Sequence, residues 1–248
     1  MKTIAFASIK GGTGKSSLAI LTANMLAQRH NRVLVIDMDV QNSTTFYYLE
    51  NSDGVEQKNI ARALQSQKAA PNVLPTQREN VELLGSHFEL IDLRAISEKR
   101  LASVIHQVSE KYDFCIIDCA PTYDNLVLNA FNAADFILTP ILQAQFDFKS
   151  AVFLKNRLTL DTECAGKWRL LFNFYKEPKT AESALTQYTK LFESTFDNIL
   201  PVKIPFSSYI RKAIDAGVEI TSAQRKLKLY EALDGLVEWL AANNKARR

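Results

Sequence analysis

Glycines, two ammonium groups and two hydroxyls are concentrated in Lys10-Gly11-Gly12-Thr13-Gly14-Lys15-Ser16-Ser17. Residues without a Cβ let backbone N–H groups crowd a phosphate. A lysine at the end of such a loop reaches the β and γ oxygens, and the hydroxyl after it is placed for Mg²⁺. Gly14, Lys15 and Ser16 fit the common G-x-x-x-x-G-K-[ST] form, but the first glycine of that pattern falls on Ile9. In its place a second lysine, Lys10, stands at the entrance. A cation there, beside the one already on the phosphates, suggests a charge aimed at another nucleotide or another subunit.

Carboxylates complete the set. Asp37 and Asp39 end an apolar run in Asp37-Met38-Asp39-Val40-Gln41-Asn42, and strand alternation puts both on one side. A carboxylate near Mg²⁺-ATP holds the metal through water or positions the attacking water. Asp118 ends the apolar run Phe114-Cys115-Ile116-Ile117, where it would reach the Mg²⁺ shell, and Pro121 follows in a turn able to sense the γ-phosphate. Lys10, Lys15, Asp39 and Asp118 are thus the candidate catalytic groups. Ser16, Asp39 and Asp118 are the candidate metal residues, and 10–17 is the nucleotide loop.

The elements that must hold these residues read as alternating strands and helices. Thr3–Ser8 is a short buried strand, and Ser17–Gln28 has apolar residues at helical spacing. Arg32–Met38 is a second strand, parallel to the first through the crossover helix. Residues 51–80 are polar and irregular, with one short helix expected, and Val81–Gly85 is a third strand. Ser97–Lys111 reads as a helix, Phe114–Cys119 as a strand, Asp124–Ala134 as a helix and Asp135–Pro140 as a strand. Lys149–Leu160 (helix), Trp168–Phe174 (strand), Ala181–Glu193 (helix) and Val202–Ile204 (strand, stopped by Pro205) continue the alternation. A helix over Ser222–Asn243 closes it, with Leu229, Leu233, Leu236, Val237 and Leu240 on its core side. The expected class is α/β, a mostly parallel sheet with helices on both faces, in a single domain over 1–248. Ligands in such sheets sit at the carboxyl ends of the strands, where the glycine loop and the acidic strand ends fall.

Composition is consistent with this. The 248 residues are 47% hydrophobic with mean hydropathy −0.11, enough for a sizeable core. Net charge is +3, unevenly spread. Residues 1–148 carry 13 Lys and Arg against 16 Asp and Glu, and residues 149–248 carry 17 against 11. A basic second half suits a polyanion surface. Three cysteines without framework spacing argue for a reducing, cytosolic setting. The chain has no charged-then-apolar leader and no run of about 20 apolar residues. It opens directly on a strand, so no N-terminal DNA-reading extension is expected.

The loop Lys10–Ser16, Asp37-x-Asp39-x-Gln41 and Asp118-x-x-Pro121 stand in the order and approximate spacing of the deviant-Walker-A P-loop ATPases. The chain resembles the ParA/Soj branch, nearly end to end. Ile204-Pro205, then Ala213 and Gly217, resemble that family's segment near the adenine, and Asn173 stands where relatives place an adenine contact. The resemblance implies that Lys10 crosses a sandwich homodimer to the partner's ATP. It implies that Lys15 and Ser16 serve phosphate and Mg²⁺, that Asp39 is needed for hydrolysis and that Asp118 is the switch II aspartate. It further implies ATP/ADP and Mg²⁺ as cofactors, slow hydrolysis, non-specific DNA held by Arg211, Lys212, Arg225, Lys226 and Lys228, a ParB-like adaptor and a nucleoid-associated location. Val40 departs from a usual proline, and Arg211-Lys212 from usual polar or acidic residues. A relative that positions a protein assembly shares the same signature. A MinD-like membrane ATPase needs a lipid-facing terminal helix, whereas here Glu238–Arg248 continues a core helix into a short basic tail. A metal-cluster reductase needs cysteines facing across a dimer axis, and Cys119 has no CxxC companion.

Overall fold

The computed structural model describes residues 1–49, 54–160, 162–221, 223 and 227–243. Eight strands form one sheet in the order β3-β4-β2-β5-β1-β6-β7-β8. The strands are β1 (Lys2–Phe6), β2 (Val33–Met38), β3 (Leu74–Pro75), β4 (Val81–Leu84), β5 (Phe114–Cys119), β6 (Phe136–Ile141), β7 (Trp168–Tyr175) and β8 (Ile199–Pro205). All pairings are parallel except that of the two-residue β3 with β4. The helices are α1 (Lys15–Gln28), α2 (Ser43–Tyr48), α3 (Ile60–Ser66), α4 (Arg100–His106), α5 (Asn125–Ala133), α6 (Gln145–Leu160), α7 (Thr162–Ala165), α8 (Ala184–Thr195), α9 (Ser208–Asp215) and α10 (Lys228–Ala242).

The central strands are apolar on both sides because both faces are covered. Ile4, Phe6, Val33, Val35, Phe114 and Ile116 face a core shared with α1, α9 and α10. The alternate residues Ala5, Leu34, Ile36, Cys115, Ile117 and Cys119 face a core shared with α3, α4, α5, α6 and α8. Period-2 alternation therefore sorts two hydrophobic sets rather than an inside from an outside. The three cysteines form no disulfide and are buried in the second core.

Several bounds differ from the sequence reading. The helix expected at 97–111 is reduced to α4, because 107–111 continues as tight turns in which Val108 N bonds Ile105 O and Ser109 Oγ bonds His106 O. Helix α6 starts four residues early, at Gln145, with Asp147 in its first turn taking the Leu142 N–H. Strand β8 runs from Ile199 through Pro201, which an edge strand tolerates because one row of its N–H groups has no partner to lose. Three helices, α2, α7 and α9, have no counterpart in the sequence reading. Helix α10 starts at Lys228, and all five residues assigned to its core side are buried.

Candidate nucleotide-binding site

Strand β1 lies between β5 and β6, so the chain departs to opposite sides of the sheet around it. The resulting crevice holds the loop between β1 and α1. Gly12 (φ 76°) and Gly14 (φ 89°) adopt left-handed backbone. A Cβ on Gly14 would strike Asn173 Nδ2 and approach Phe174 Cζ to 3.4 Å, whereas a Cβ on Gly11 or Gly12 would meet nothing within 4 Å. The loop is thus pinned on its inner side and open on its outer side. Helix α1 begins immediately at Lys15 with no side-chain cap, leaving its first N–H groups and positive dipole end to an anion. Lys15 is buried, and its Nζ lies 3.4 Å from Lys10 O. Burial lowers its pKa, while Asp118, Cys119 and Asp39 oppose that shift.

Asp37 and Asp118 are neighbours in the parallel register of β2 and β5, and both are fully buried. Consecutive threonines of α2 hold them. Thr44 Oγ1 donates to Asp118 Oδ2 at 2.7 Å, and Thr45 donates to Asp37 Oδ2 through N (2.8 Å) and Oγ1 (2.7 Å). Burial, reinforced by Asp118, raises the Asp37 pKa above the usual carboxylate range despite these donors. Burial also raises that of Asp118, against the hydroxyls of Thr44 and Ser16 and the ammonium of Lys15. Asp118 Oδ1 has no hydrogen-bond partner among the described residues. A buried carboxylate oxygen left open beside Ser16 and Lys15 is a place for a cation. Asp39 is half-buried, and its Oδ1 accepts from Gln41 N at 3.0 Å.

Lys10 sits elsewhere than a purely outward charge would. Its Nζ bonds Asp147 Oδ2 at 2.5 Å, with the aspartate buried and the lysine side chain 34% exposed. Asn173 turns toward the loop, donating from Nδ2 to Thr13 O at 2.8 Å. Beside Ser17, a cavity of about 440 Å³ is lined by Phe174, Phe206, Ser207, Ser208, Ile210 and Arg211 among others. Pro205 ends β8 and lines a different groove, with Lys203 and Lys228. Phe174 has φ 49°, unusual for a residue with a side chain, and its ring lies 6.3 Å from that of Phe206. Arg211 and Lys212 are exposed on α9, and Lys228 is exposed at the start of α10. Arg225 and Lys226 lie outside the described residues.

The structure brings Lys15, Ser16, Asp39 and Asp118 close together; the sequence reading did not name Thr44, Thr45, Asp147, Phe174 or Phe206 as part of the site. Helix α2 carries no local capping signal, since Asn42 at its start makes no side-chain cap. Nothing local marks Asp147, which meets Lys10 across 137 positions.

A family model described as an AAA domain (AAA_31) matches residues 1–160. A virulence-plasmid ParA family protein of Chlamydia psittaci is 29% identical over 93% of this chain and 88% of its own length. The protein named for maintenance of carboxysome distribution in Synechococcus elongatus is 30% identical over 90% and 92%. The solved ATP complex of a Cyanothece McdA variant superposes with a TM-score of 0.81 at 20% identity, covering 100% of this chain and 99% of that one. The family match over most of the chain, the full-length relatives and the shared fold agree with the geometry around Gly14, and the chain belongs to the ParA-type P-loop ATPase family.

Proposed function

We propose that this single domain is a Mg²⁺-dependent ATPase. It closes as a homodimer on ATP, binds DNA without regard to sequence, and releases when a ParB-like adaptor stimulates hydrolysis. The observation that carries the reading is the buried Asp118, with one oxygen open, facing Lys15 and an uncapped helix start.

A hard divalent cation suits the oxygen-only set Ser16, Asp39 and Asp118, and when bound it supplies charge neutralisation at the β and γ oxygens. The remaining work belongs to the chain. The N–H groups of residues 11–17 cradle phosphate, and Lys15, held in a dry site, presents its charge to the transferred group. Asp39, partly accessible at the rim, orients the attacking water. Lys10 leaves Asp147 to reach the partner's nucleotide. Asn173 gives Nδ2 to Thr13 O and keeps Oδ1 open for the base, which lies against Phe174 and Phe206, with Pro205 supporting the strand end behind it. Arg211, Lys212 and Lys228, together with Arg225 and Lys226, offer charge to phosphates. The protein works in the cytoplasm on the nucleoid. Among the described residues no helix is long and apolar enough to cross a membrane.

A second reading keeps the cycle and changes the cargo from DNA to a protein assembly. The 30% identity to a carboxysome-distribution protein favours it. DNA binding measured with ATP, ADP and no nucleotide over a salt series tests the first reading. ATP-dependent binding should weaken about 10²-fold or more between 50 and 200 mM salt. Salt-insensitive binding, or none, rejects DNA as the partner. Hydrolysis assayed with DNA and with the product of a neighbouring gene separates the two cargoes. Asp39→Ala should accumulate the ATP-bound dimer on a sizing column; wild-type turnover in that variant removes Asp39 from its role.

A further inference from the structure

Helix α2 faces two ways. Its first turn holds the buried carboxylates through Thr44 and Thr45. Its last turn carries Tyr47 and Tyr48. Tyr48 OH donates to Asn24 Oδ1 of α1 at 2.9 Å, and Asn24 Nδ2 donates to Tyr47 OH at 2.8 Å. Tyr47 OH also accepts from Arg78 NH2 at 3.3 Å, with the guanidinium carbon 5.8 Å from its ring centroid.

Arg78 in turn grips a segment far away in sequence. Its NH2 donates to Gly217 O at 2.9 Å and its NH1 pairs with Glu219. Residues 216–219 cap α9, since Ala216 N and Val218 N both bond Lys212 O at 3.2 and 3.3 Å. Gly217 makes this possible with φ 61°, a left-handed helix ending. One guanidinium therefore joins the helix seated on the carboxylates to the cap of the exposed basic helix.

We infer that Arg78 is a joint transmitting the state of the Asp37/Asp118 site, through α2, to the α9 cap. Thr44 spends its hydroxyl on Asp118 Oδ2, so any change in how Asp118 is engaged resets the first turn of α2. In a helix of six residues the last turn must follow. Tyr47 then shifts against Arg78, whose planar fork cannot satisfy Tyr47, Gly217 and Glu219 in an arbitrary geometry. The cap loosens or tightens, and with it the presentation of Arg211 and Lys212. The inference rests on nucleotide binding at the site and does not require that DNA be the partner.

Hydrogen–deuterium exchange on the full chain tests it, comparing no nucleotide, Mg²⁺-ADP and Mg²⁺-AMPPNP, with nucleotide binding followed separately by a fluorescent ADP analogue. In the wild type, exchange across 214–221 should differ between nucleotide-free and AMPPNP states by about tenfold. In Arg78→Gln the ADP analogue should still bind, within about threefold of wild type, while 214–221 exchanges fast in every state. Tyr47→Phe, which keeps the ring and removes the acceptor, should shrink the difference, and it carries the test should Arg78→Gln not fold. Binding of nucleotide with no change at 214–221, or a nucleotide-dependent change that survives in both variants, overturns the inference alone. Absence of nucleotide binding in the wild type overturns the nucleotide reading and the joint together.

Discussion

At the ends of β2 and β5 charges are buried and met by named partners. On α9 they stand in solvent. Asp37 and Asp118 are inaccessible; Asp37 is held by Thr45 and the backbone of Asp39, and Asp118 by Thr44 at Oδ2, with Oδ1 open. Arg211 is 88% exposed along its side chain and pairs with Asp215 at 3.9 Å, an i,i+4 pair of small energetic consequence. The first region works through geometry, since a dry carboxylate or lysine interacts strongly only with what is placed against it. The second works through charge and reach, since phosphate contact asks for little else. Single substitutions should therefore act sharply in the first region and by small, additive steps in the second.

The largest break should come from Lys15→Ala. Removing a preorganised cation from a buried site should lower ATP turnover about 10³-fold, read by phosphate release. A loss under about tenfold would place the phosphate charge elsewhere. Gly14→Ala comes next, because it adds left-handed strain and drives a methyl into Asn173. Stability should fall by about 2–4 kcal/mol in urea melts, while Gly11→Ala, in open space, should cost under about 1 kcal/mol.

The pH response sharpens the contrast further. The folded-state pKa of Asp37 is raised, so the folded protein holds a proton that the unfolded chain has released. This contribution is fully present below the ordinary carboxylate value of about 4 and is lost as pH rises through the raised folded value. Nucleotide-free wild type should lose stability steadily between about pH 4 and about pH 8, and Asp37→Asn should flatten the slope. An unchanged slope in the variant would assign the pH dependence to other groups. The smallest effect belongs to α9. Arg211→Ala with Lys212→Ala should reduce the salt slope of DNA binding by about 2 while moving stability by less than about 0.5 kcal/mol. A large stability loss would mean that α9 is a structural element rather than a contact surface.

The parts of this molecule that were legible beforehand are those written locally. Strand β5 was placed to the residue because Phe114–Cys119 is an unbroken apolar run ended by an aspartate. The core positions of α10 followed from helical spacing alone, although its start did not. Helix α2 was missed because six residues with adjacent β-branched threonines and tyrosines carry little helical signal. Its stability comes from carboxylates and from Asn24 on other elements. That Asn173 also supports the loop through Nδ2 was not legible, because only the close approach of β7 to Gly14 reveals that contact.

By itself the sequence determined the loop, the β/α alternation and the acidic strand ends, because glycine conformational freedom, apolar periodicity and lysine spacing act over a few residues. The tertiary structure decided the pairings: Lys10 with Asp147, Thr44 with Asp118, Asn173 with Thr13 and Arg78 with Gly217. Each joins residues brought together by the strand order of one sheet. That order emerges from packing two hydrophobic faces at once, a global condition that no short stretch of chain encodes.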